Sequence, residues 1–169
     1  MKSDPDYEAA KEALSRLWRR LGQERHQPFA SLVQSVEAQY HGSLHRITAE
    51  DIGYVMTERG DRTARWFARS VPPWAKPLAR PVRVLLQMLR DIMAAEFRAP
   101  WRTMAAITSM MLYIGDPIDI LPNVLPGIGH IDDALVVALC LSTVKKDLAR
   151  YTRQKGVAQV TLRFDVDVG

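Results

Sequence analysis

Asp116, Asp119, His130, Asp132 and Asp133 crowd into one short stretch in the second half of the chain. Carboxylate oxygens suit hard cations and an imidazole nitrogen suits transition metals. A turn that folds back on itself could therefore gather these side chains into a metal or catalytic site. The same residue types have a simpler use. Asp132 and Asp133 precede an apolar run, where carboxylates satisfy the first N–H groups of a helix and lie at its positive end. Asp119 can fix a turn by accepting from backbone N–H groups. No HExxH, paired Cys/His or EF-hand spacing accompanies the cluster, so capping is the expected role and no cofactor is expected.

Charge marks a second candidate. The net charge is +4, and its distribution is uneven: Arg59, Arg62, Arg65, Arg69, Lys76, Arg80, Arg83, Arg90, Arg98 and Arg102 are set against Glu58, Asp61, Asp91 and Glu96. Trp66, Phe67, Trp74 and Trp101, interleaved with Arg and Lys, have the cationic and amphipathic character of an interfacial anchor, and Arg83, Arg90 and Arg98 present positive charge to anionic lipid or an acidic partner protein. A solvated helix surface would carry the same charges. Nucleic acid ranks below lipid, because no recognition motif or concentrated basic arm is visible.

Signatures of common enzyme classes are missing. There is no GxxxxGK[ST], no GxGxxG after a strand and no GxSxG elbow, and Gly127-Ile128-Gly129 reads as turn glycines. Cys140 is the single cysteine. It lies in an apolar run and reads as a small buried hydrophobe in a reducing compartment. His26, His41 and His45 are scattered. A non-enzymatic helical protein is expected, acting as a membrane-surface or scaffold module; a soluble metal-binding or enzymatic domain using the Asp cluster is the alternative.

The elements that must position these residues are helical. Leu14, Leu17, Trp18 and Leu21 recur at helical spacing, as do Phe29, Leu32, Val33, Val36 and Tyr40 before a stop expected at His41-Gly42. Thr48-Ala49-Glu50-Asp51 has the form of a capping box for a short helix through about Arg59, which Gly60 should end. The prolines of Trp66–Pro77 predict a linker or rigid turn. From Pro81 to Pro100, Val82, Leu85, Leu86, Leu89, Met93 and Phe97 form one apolar face. Two apolar arms, Thr103 to Ile114 and Ala134 to Val144, flank a connection whose shape Pro117, Pro122, Pro126 and Gly129 should set.

These features predict an all-α fold: a small helical bundle, 1–156, with a central Asp/Pro/Gly-rich helical hairpin at 103–145. Val160, Leu162, Phe164, Val166 and Val168 then alternate with polar residues. They predict a strand-like or disordered tail at 157–169, available to pair with a second copy in a homodimer. The polar start Met1-Lys2-Ser3-Asp4-Pro5-Asp6 has no apolar run after it. The expected location is cytoplasmic, peripheral on the inner face of the membrane.

Tyr113, Pro117, Asp119, Pro122, Pro126, Gly129, Asp132 and Asp133 fall in register with the pattern Tyr-x-x-x-Pro-x-Asp-x-x-Pro-Asp-x-x-Pro-x-x-Gly-x-x-Asp-Asp. The hairpin therefore closely resembles the YkvA-like family, a bacterial module of unknown function. Asn123 stands where that pattern has Asp. The resemblance implies a small helical protein associated with membranes and brings no established activity with it.

Overall fold

The computed structural model describes residues 4–114 and 130–164, and the fold is all-α, with no strand among the described residues. Helix α1, Pro5–Arg20, opens on Asp4, whose carboxylate accepts from the Asp6 N–H at 3.1 Å. Its inner face buries Leu14, Leu17 and Trp18. Helix α2, Phe29–Leu44, runs past the stop expected at His41-Gly42. His41 and Gly42 lie on its exposed side. Buried Tyr40 holds the inner side by donating to the Ala106 carbonyl at 3.0 Å, so tertiary packing overrides the weak stop.

The capping box forms as its residues predict. The Thr48 hydroxyl oxygen accepts from the Asp51 N–H at 3.2 Å, while the Asp51 carboxylate accepts from the Thr48 N–H at 2.9 Å. Helix α3, Ala49–Tyr54, does not end at Gly60. It passes through a π-helical turn, Val55–Arg59, into α4, Gly60–Ser70. A Cβ at Gly60 would lie 2.5 Å from the Val55 carbonyl oxygen and 2.7 Å from Leu86 Cδ1. This glycine permits close packing of one helix on another, and nothing in its backbone stops the helix.

The linker expected over Trp66–Pro77 is consequently shorter. Residues Trp66–Ser70 complete α4, the break falls at Val71-Pro72, and Pro73–Leu78 form a short 3-10 helix that tolerates Pro77. Helix α5, Ala79–Met93, starts two residues before Pro81 and stops well before Pro100. The chain turns at Ala95 (φ 61°), and the Asp91 carbonyl accepts from the N–H groups of Glu96 and Phe97 at 2.9 and 3.2 Å. Phe97 is buried from this turn, not from the helix, and Met93 stays exposed.

Helices α6, Trp101–Ile114, and α7, Ile131–Thr143, are the hairpin arms. Both are buried around most of their circumference, as expected for helices at the centre of a bundle. Helix α8, Lys145–Lys155, adds Leu148 and Tyr151 to the core and ends at Gly156, which adopts a left-handed φ of 69°. Beyond it, residues 157–164 form no strand and pack against the helices. Val160, Leu162 and Phe164 turn inward, Thr161 and Arg163 outward. Val166 and Val168 lie outside the described residues.

Candidate functional site

At the head of α7 the chain buries two adjacent carboxylates, Asp132 and Asp133, completely. They occupy the second and third helical positions, and His130 holds the N-cap position. The positive end of the helix favours negative charge at both sites. Each carboxylate also has a named partner. The Tyr113 hydroxyl donates to Asp132 Oδ2 at 3.0 Å, joining the last turn of α6 to the first turn of α7. His130 Nδ1 and Asp133 Oδ2 are 3.1 Å apart. Burial without such partners would be costly; Asp132 acts here as a clamp between the arms, whereas Asp133 holds the N-cap residue of its own helix. Asp116 and Asp119, with Pro117, Pro122, Pro126 and Gly129, lie outside the described residues. Among the described residues no group of three or more His, Cys, Asp or Glu side chains is placed to hold a metal ion.

The indole of Trp66 covers the His130 ring, with centroids 5.5 Å apart. Trp66 belongs to α4 and remains 38% exposed, so one ring touches both the buried His130 ring and solvent. Around it, Arg62, Arg65 and Arg69 are all exposed. Their i, i+3, i+7 spacing puts them on one side of the helix, and none has an ion-pair partner among the described residues. The neighbouring charges are used internally. Arg59 donates to the Leu112 carbonyl at 2.9 Å, near the end of α6. Asp61 pairs with Arg90 at 2.9 Å.

The basic and aromatic residues first singled out sit on different elements. Arg83 is exposed on α5, whereas Arg90 is half-buried and committed to Asp61. Arg98 is exposed on the α5–α6 connection, and its carbonyl accepts from Arg150 at 2.7 Å. Trp74 packs edge-on to Phe164, with ring centroids 5.9 Å apart. Only Trp66 stands on the cationic side of α4. The spacing of Arg62, Arg65 and Arg69 was legible in the sequence, but ending a helix at Gly60 hid the face that they share.

The family model described as "Protein of unknown function (DUF1232)" matches residues 103–139. A curated protein of Bacillus subtilis (strain 168), "Uncharacterized membrane protein YkvA", is 37% identical over 79 residues, covering 46% of this chain and 74% of that protein. The chain belongs to the YkvA-like family. No solved structure matches it. In this YkvA-like chain the family model spans the greater part of both α6 and α7, including Tyr113, His130, Asp132 and Asp133. The cationic face of α4 lies outside it. Helix α6, with 14 residues, is about 21 Å long, against roughly 30 Å of bilayer hydrocarbon. No helix among the described residues is long and apolar enough to cross a membrane.

Proposed function

We propose that this YkvA-like protein is a membrane-surface module that docks on anionic lipid through the outer side of α4. The observation that carries this reading is the set of exposed arginines, Arg62, Arg65 and Arg69, without ion-pair partners among the described residues and grouped around a part-exposed Trp66. Guanidinium groups pair with phosphate oxygens in a planar fork. An indole with one wet edge settles at the headgroup level. A helix with this make-up lies in the plane of the interface, which agrees with helices too short to span the bilayer. The word "membrane" in the name of the Bacillus subtilis relative favours the same reading. Its site would be peripheral, with the α6–α7 hairpin supporting α4 through Arg59–Leu112 and Trp66–His130.

Each cation near an anionic surface contributes about 1 kcal/mol at moderate salt. Replacing all three arginines by glutamine should therefore weaken vesicle binding on the order of a hundredfold. Co-sedimentation with phosphatidylglycerol-containing and purely phosphatidylcholine vesicles tests this. Binding restricted to the anionic vesicles, and reduced by added salt, is the expected result.

A further inference from the structure

Beyond α8 the chain returns over the bundle as a strap, residues 157–164. Its sequence decides which side is held: Val160, Leu162 and Phe164 are half-buried against the core, while Thr161 and Arg163 between them are exposed. The hold is made by side chains. Arg80 donates to the carbonyls of Ala158 and Gln159 at 2.8 and 3.2 Å, and Trp74 meets Phe164 edge-on. Among the described residues no backbone–backbone hydrogen bond involves residues 158–164. The seat is also loose, because a space of about 620 Å³, lined by polar and apolar side chains alike, remains between the strap and α1, α7 and α8. Close packing is what makes apolar contacts strong, so this segment is held less firmly than a helix of the core.

The strap leaves α8 at a hinge. Gly156 has a φ of 69°, a left-handed conformation that glycine enters or leaves at little cost. The residues after it, Val157, Ala158 and Gln159, are exposed, and Val157 keeps 45% of its surface in water. A strap that swings out at Gly156 bares Val160, Leu162 and Phe164. The groove of a second copy covers them again with identical contacts, so exchange forfeits little, which is why domain swapping is a low-cost route to a dimer. It also adds contacts that the single chain lacks. The two hinge segments meet at the two-fold axis, where Val157 is covered and the N–H groups of residues 158 and 159, which make no backbone–backbone hydrogen bond within the chain, can pair across copies.

We propose that the strap is exchanged between two copies of this chain, each hinging at Gly156 and laying Val160, Leu162 and Phe164 in the other's groove. The occupant is identified by what the groove already holds, which is this same segment with these same side chains turned inward. The interface is separate from the α4 face and does not depend on it.

Light scattering on the full chain at rising concentration, combined with cross-linking of Ala9→Cys/Thr161→Cys by a flexible bismaleimide, tests the proposal. Both positions are exposed and line the space beneath the strap, and the buried Cys140 is out of the reagent's reach. A concentration-dependent dimer is expected, in which the cross-link joins two chains so that the denatured protein still runs as a dimer. Gly156→Ala adds a methyl group that meets nothing within 4 Å yet strains the closed hinge, where φ is positive. It should raise the dimerisation constant about tenfold or more, since opening relieves both hinges. Arg62→Gln/Arg65→Gln/Arg69→Gln should dimerise like the parent chain. A parent chain that is monomeric at every concentration overturns the proposal, as does a dimer whose cross-links stay within single chains or one that Gly156→Ala leaves unchanged.

Discussion

Tyr113 and Asp132 join the two arms of the hairpin through a 3.0 Å hydrogen bond between a hydroxyl that closes α6 and a carboxylate that opens α7. Asp132 is fully buried and Tyr113 nearly so, so the bond is made where water cannot replace it. Tyr113→Phe removes one donor from a buried carboxylate while keeping the ring. The expected loss is about 1–3 kcal/mol, measured by urea denaturation, and vesicle binding should be unchanged when assayed well below the midpoint. A stability equal to that of the parent chain would show that the clamp is not what holds the arms together.

Gly60 and Gly53 make a paired test of the π-helical turn. A methyl group at Gly60 collides with the Val55 carbonyl and with Leu86, whereas one at Gly53 meets nothing within 4 Å. Gly60→Ala should destabilise by about 1–3 kcal/mol through overpacking. Gly53→Ala should be neutral or stabilise by up to about 1 kcal/mol, since alanine is the better helix former. Thermal melts of the two variants read the difference directly.

Asp91 supplies a pH dependence. Burial by itself raises its carboxyl, but hydrogen bonds from Tyr151 and Gln87, together with the Lys155 charge, outweigh burial and hold it below the ordinary carboxylate range. The Tyr151 hydroxyl donates to it at 2.6 Å. A carboxyl whose folded value lies below its unfolded value contributes stability that is complete above the unfolded value, about 3.9. That contribution is lost as pH falls through the lowered folded value. Asp91→Asn should therefore be less stable than the parent chain at neutral pH and lose less stability on acidification below about pH 4. Denaturation midpoints across the acid range check this, and parallel curves for the two proteins would refute it.

The all-α fold was legible because apolar residues recur with the helical period, the two arms because they are apolar runs beside a Pro/Gly-rich connection, and the capping box at Thr48 because it is local chemistry within four residues. Other features were not. Glycine at position 60 reads as a stop from its neighbours alone, and only the approach of Leu86, distant in sequence, reveals its use. Helix α8 went unmarked because Lys145–Lys155 is mostly charged and buries little beyond Leu148, Tyr151 and Thr152. The alternation after Val157 has the period of a strand, yet its apolar side is spent against helices. In the candidate site, the carboxylates at Asp132 and Asp133 were identified as helix-start residues, but their partners Tyr113 and His130 depend on the folding of the hairpin. The α4 face was obscured for the same reason as the helix that carries it.

Contact between α4 and a membrane surface is what the proposed function requires. Because Arg62, Arg65 and Arg69 are exposed and make no ion pair among the described residues, Arg62→Gln/Arg65→Gln/Arg69→Gln should fold and melt like the parent chain. Co-sedimentation of both proteins with phosphatidylglycerol-containing vesicles, at low and high salt, is the most direct measurement. The parent chain should bind in a salt-sensitive manner, and the folded triple variant should bind more weakly, on the order of a hundredfold. Equal sedimentation of the two proteins, or none by the parent chain at low salt, would contradict the proposed function.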